Sequence, residues 1–124
     1  MTWTRLAAAL MALTFFIHVF GGGPEVHDPL QATLTDPFLA AFAAVLWHMV
    51  TVVLAVLAGG LWVLAGRRDP ALEAILSAIQ LGFAALFIVY GLTRLGTIWP
   101  MSQWIIFLAI PTLTRFGQSR KRPH

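Results

Sequence analysis

Four long apolar stretches constrain this chain more than anything else in it. They run from Leu6 to Phe20, from Phe38 to Ala65, from Leu72 to Leu92 and from Trp99 to Leu113. A chain of 124 residues that is 59% hydrophobic and only 10% charged, with a mean hydropathy of +0.82, has too little polar surface to enclose that much apolar side chain in one soluble core. The expected solvent for most of it is a lipid bilayer, whose hydrocarbon core takes about 20 helical residues to cross. The expected fold is all-α: a single transmembrane domain forming an antiparallel four-helix bundle. Its spans fall at about 4–20, 38–65, 70–93 and 99–115, with an outer loop over 21–37 and a basic tail over 116–124.

The basic residues orient those spans. Seven of the eight Lys and Arg residues (Arg5, Arg67, Arg68, Arg115, Arg120, Lys121 and Arg122) flank the ends that one topology places together. The segment between the first two stretches has no Lys or Arg and carries Glu25, Asp28 and Asp36; only Arg94 falls on that side. Basic residues close to span ends are retained in the cytoplasm, so both termini are expected inside and the loop outside, in a bacterial inner membrane. The net charge of +3 does not point to nucleic acid, because the basic residues flank apolar spans and form no stripe on a soluble face. The tail instead suits retention and attraction to anionic headgroups. With no cysteine, the chain has no disulfide, thiolate metal site or thiol nucleophile.

Local signals set the expected helix ends. Gly21-Gly22-Gly23-Pro24 reads as a stop: three flexible residues, then one without an amide hydrogen. Met1 to Phe20 shares features with a signal peptide but lacks an Ala-x-Ala site, so an uncleaved first span is expected. Asp36-Pro37 and Asp69-Pro70 each read as a helix cap with proline at the first helical position. The second stretch is longer than a crossing needs, so it either tilts or projects its first turns outward. Trp99 and Pro100 open the fourth span. In the third span, Ala74, Ala78 and Gly82 form a small-residue stripe at four-residue spacing. The simplest use of that stripe is packing inside the bundle; the other is a face for a second membrane protein or a second copy.

The span interiors read as free of charge, which disfavours proton-coupled transport. The polar residues left within them are His18, His48, Gln80, Tyr90 and Gln103. Counting helical rise from the inner ends places His18 about 20 Å outward, His48 about 28 Å, Tyr90 about 31 Å and Gln103 about 18 Å. Four of these, His18, His48, Tyr90 and Gln103, are therefore candidates for one outward-facing pocket. Such a pocket could hold a quinone hydrogen-bonded by His, Tyr and Gln. His18 and His48 could instead ligate a haem. His18, Glu25, His27 and Asp28 have the ligand types for a zinc-like ion, although their spacing matches no known motif. The plainest alternative is that these groups satisfy one another and the backbone, with Arg94 paired to Glu25, Asp28 or Asp36 across the outer surface.

The run His18-Val19-Phe20-Gly21-Gly22-Gly23-Pro24-Glu25-Val26-His27, with Leu46-Trp47-His48 and Pro100-Met101-Ser102-Gln103-Trp104, resembles a group of small four-span bacterial inner-membrane proteins. That group carries no assigned activity, so the resemblance implies the four-span plan and no chemistry. The plan is also similar to that of DoxX-type membrane proteins, an architectural likeness that does not settle function. The expected role is a non-catalytic accessory or interaction subunit in contact with lipid. The alternative is a redox-associated protein binding quinone or haem near the outer face.

Overall fold

In a computed structural model that describes residues 2–121, the described chain is helical and contains no strand. Four helices follow one another: α1 over Trp3–Thr33, α2 over Pro37–Gly66, α3 over Pro70–Leu95 and α4 over Trp104–Ser119. The first three are long and apolar enough to cross a membrane. α4 has 16 residues and falls short of that length. The end of the basic tail, residues 122–124, lies outside the described residues.

Two helix starts form as their sequence signals dictate. Asp36 Oδ1 accepts from the Leu39 amide at 2.9 Å and Asp69 Oδ1 from the Leu72 amide at 3.0 Å. In each case the following proline occupies the first helical position, where a missing amide hydrogen costs nothing. α1 departs from expectation. It does not stop at Gly21-Gly22-Gly23-Pro24 but widens into a π-helical segment over Ile17–His27, then finishes as α-helix through Thr33. The Asp28 amide reaches back five residues to the Gly23 carbonyl. The expected loop over 21–37 therefore shrinks to Leu34, Thr35 and Asp36 between two helices. Trp47 of α2 lies against the middle glycine of this wide turn: a Cβ on Gly22 would stand 3.1 Å from the Trp47 ring, whereas one on Gly23 would meet nothing within 4 Å. Gln31 Nε2 ties the hairpin by donating to the Ala40 carbonyl at 3.1 Å.

The fourth helix also differs. Trp99 and Pro100 do not open it; α3 ends at Gly96, whose φ of 70° is left-handed, and residues 96–103 form turns. α4 begins only at Trp104, whose indole donates to the Ile98 carbonyl at 3.1 Å, and it carries Pro111 within it.

α1 packs against α2 and α4, and α3 packs chiefly against α4 and less against α2, so α1 and α3 lie diagonally. The core fills the half away from the hairpin between α1 and α2. It is made by Met11 of α1, Leu57 and Leu61 of α2, Leu76 and Ala84 of α3, and Phe107 and Ile110 of α4. No residue between Ile17 and Thr33 is buried. At the inner end Thr4, Gln118 and Lys121 lock three helices. Gln118 Nε2 donates to the Leu64 carbonyl at 3.0 Å and to Thr4 Oγ1 at 3.4 Å, and Lys121 Nζ donates to the Ala65 carbonyl at 2.6 Å. In the last turn of α2 the regular backbone donors run out; the Arg67 amide closes on the Leu64 carbonyl at 3.3 Å, and the Gln118 and Lys121 side chains add donors to the Leu64 and Ala65 carbonyls.

Candidate functional site

The structure holds two polar assemblies, one near each end. The one farther from the termini stacks two histidines on one tryptophan and sets a third against the second. His18, on the π-helical turn, hydrogen-bonds Thr51 of α2 through Nε2 at 3.0 Å and stacks on Trp47 with ring centroids 4.2 Å apart. His27 stacks on Trp47 at 5.3 Å and meets His48 edge-on at 5.5 Å. The wide turn of α1 places His18 and His27 against the same indole, which a regular helix broken at Gly21 would not do. His27 Nδ1 is buried and has no hydrogen-bond partner.

Of the residues expected to converge on an outer pocket, His18 and His48 share this neighbourhood, whereas Tyr90 and Gln103 do not. Both are exposed, and neither bonds a histidine among the described residues. Tyr90 belongs to α3, diagonal to α1; Gln103 sits in the turn before α4, while His18 is directed at α2 by Thr51. A cofactor held by His18 through Nε2 would have to displace the Thr51 hydroxyl. Glu25 and Asp28 are exposed on the outer turns, and among the described residues no three His, Asp or Glu side chains converge well enough to hold a metal ion. The quartet His18, Glu25, His27 and Asp28 is thus not assembled: His18 and His27 lie on the Trp47 ring, while Glu25 and Asp28 stay exposed. Arg94 makes no ion pair with Glu25, Asp28 or Asp36 among the described residues; the first two belong to α1, which is diagonal to α3.

The inner assembly contains a residue that sequence reasoning passed over. Glu73 lies one turn into α3 and its side chain is only 10% exposed. It corrects the reading that the spans carry no charge. Its partner is Arg115 of α4, with Nη1 at 3.5 Å from Oε1, while the rest of the guanidinium extends to the surface. Beside the pair, a groove of about 680 Å³ opens between α3 and α4. Pro70 and Ser119 mark its inner mouth, and Leu81 and Pro111 its deeper end. Ser77 lines it and makes no hydrogen bond among the described residues. A signal for Glu73 was present. It is an acid in the first turn of a helix, where the dipole favours it, and an arginine lies at the start of the tail 42 positions later. What the sequence could not show is that those two turns face each other.

The small-residue stripe turns outward. Ala74, Ala78 and Gly82 are exposed, and a Cβ on Gly82 would meet nothing within 4 Å. The inward face of α3 is instead Glu73, Leu76, Gln80 and Ala84. Packing inside the bundle is therefore not what Ala78 and Gly82 do; only Ala74 comes near α4, at the edge of the groove.

No protein-family model, curated protein or solved structure matches the chain.

Proposed function

We propose that this chain is a four-span protein of a bacterial inner membrane, with both termini in the cytoplasm. In this role it is a non-catalytic accessory subunit that docks another membrane protein along the outward face of α3. The crossing by α4 includes the turns over 96–103, because a helix of 16 residues covers roughly 24 Å of a hydrocarbon core about 30 Å thick. Support for the bilayer comes from large apolar side chains held open along the helices: Phe20 is 72% exposed, Phe38 71% and Trp62 66%. A soluble monomer does not carry such a continuous apolar surface. Support for the orientation comes from the sequence, in which seven of the eight Lys and Arg residues flank the span ends that this topology places together.

The observation that carries the docking role is the outward position of Ala78 and Gly82. Small residues let helix backbones approach closely in lipid, where no hydrophobic drive brings helices together. Replacing both with leucine fills open space and leaves the core intact, so Ala78→Leu with Gly82→Leu is expected to abolish crosslinked assemblies in membranes while the purified chain stays folded. Assemblies that survive the double substitution would remove the docking role. Reporter fusions at both termini test the orientation separately.

A further inference from the structure

The inner groove between α3 and α4 joins three properties that a bundle does not need for its own stability. It is large, with about 680 Å³ of open volume, within the range of ligand sites. It is apolar at depth and charged at the mouth. Its charges are of both signs, and neither is used up: Glu73 has one long contact to Arg115, whose side chain is 70% exposed. Isolated buried carboxylates are costly, and a single 3.5 Å contact leaves most of the Glu73 acceptor capacity unspent.

We propose that this groove binds one phospholipid with a primary-amine headgroup, taken from the cytoplasmic leaflet. The inference rests on the membrane orientation given above. From Pro70 to Leu81 the groove follows α3 for roughly 16 Å, which is about half of a 30 Å hydrocarbon core and so the depth of one leaflet. The phosphate meets the Arg115 guanidinium, with Arg68 bordering the same mouth in a small adjoining pocket. The ammonium donates to Glu73 and to the unengaged Ser77 hydroxyl. An acyl chain lies along Leu81 and Pro111. The carboxylate decides the headgroup. A purely anionic lipid would bring its charge next to Glu73 and be repelled, whereas a zwitterion places opposite charge on both protein groups. A choline headgroup keeps the charge but has no N–H to donate, so it loses the hydrogen bonds.

The test uses the full chain reconstituted into vesicles of equal parts phosphatidylethanolamine, phosphatidylcholine and phosphatidylglycerol. Retained lipid is identified by native mass spectrometry after brief extraction. The wild type is expected to keep one phosphatidylethanolamine, preferred over phosphatidylglycerol by about tenfold, the scale of a charge-assisted hydrogen bond. Glu73→Gln keeps the shape, removes the charge and should erase that preference. Arg115→Ala should lower retention of all three lipids. Leu81→Trp, at an exposed position, should block the deep end and lower total retention without changing the headgroup order. No preference in the wild type, a preference for phosphatidylglycerol, or a preference unchanged in Glu73→Gln overturns the proposal. If Glu73→Gln does not fold, Leu81→Trp decides: lost lipid supports the site and unchanged lipid overturns it. Flotation of the same vesicles separates the two levels. A chain that does not float overturns the membrane reading and the lipid site together; one that floats but shows no preference overturns the lipid site alone.

Discussion

Among the described glycines, the one whose added Cβ would come closest to a neighbour is Gly117, and it sets a stability experiment with an internal control. Gly117 is buried where α4 crosses α1. A Cβ there would lie 2.8 Å from the Thr4 amide nitrogen and 3.2 Å from the Trp3 Cβ, and would come closest of all to Thr4 Oγ1. The first two are backbone or backbone-attached atoms and cannot swing aside. Gly117→Ala must therefore push α1 away from α4. That movement also strains the Gln118 bonds to Thr4 and Leu64 beside it. Overpacking of this kind costs about 1–3 kcal/mol. Alanine also recovers up to about 1 kcal/mol of helix propensity over glycine, which blurs the absolute value. Gly59→Ala supplies the correction: the same chemical change, in a helix of the same bundle, with nothing within 4 Å of the new atom. The difference between the two variants isolates the clash. It is expected at about 1–3 kcal/mol, a factor of roughly 5 to 150 in the unfolding constant. Gly60→Ala should fall between them, because its clash is with the flexible end of Leu76 at 2.8 Å. The assay is unfolding of the detergent-solubilised protein against increasing SDS, followed by circular dichroism. Equal stability of Gly117→Ala and Gly59→Ala, within about 0.5 kcal/mol, would refute the close approach of α1 and α4.

Two further outcomes follow from the hydrogen bonds. Gln118→Ala removes one of three donors to the Leu64 carbonyl, the one at 3.0 Å, and the same SDS titration should show a loss of about 0.5–1.5 kcal/mol; an unchanged midpoint would mean that Arg67 and Lys121 suffice to cap α2. Thr51→Val keeps the shape but removes the hydroxyl that bonds His18 at 3.0 Å; the expected loss is about 1 kcal/mol, with displaced His18 imidazole resonances by NMR, and unmoved resonances would contradict the contact.

Much of the helical plan was legible because its signals are local. Asp36-Pro37 and Asp69-Pro70 cap their helices through contacts three residues long, which need no knowledge of distant chain. The misread element is instructive for the same reason. Gly21-Gly22-Gly23-Pro24 is a strong local stop, yet α1 continues through it, with the indole of Trp47 packed where a side chain on Gly22 would stand. A contact between positions 25 residues apart outweighs a propensity cost of about 1 kcal/mol per glycine. The candidate site was legible only in fragments. His18 and His48 come into one neighbourhood, but around Trp47 and with His27 rather than with Tyr90 and Gln103.

The sequence by itself determined the helical content and that three helices are long and apolar enough to cross a membrane. The lengths of the apolar stretches and the clustering of basic residues act one segment at a time, and each segment states them in full. The tertiary structure alone decided which faces meet. A stripe at four-residue spacing suits the inside of a bundle or its outside equally well, so Ala78 and Gly82 gave no sign of facing outward. Likewise Glu73 became a buried partner of Arg115 only because α3 and α4 are neighbours. Arg94 stays apart from the acids of α1 because α3 lies across the bundle diagonal from it. Helix adjacency is set by the sum of packing contacts across the whole bundle, and no single helix encodes it.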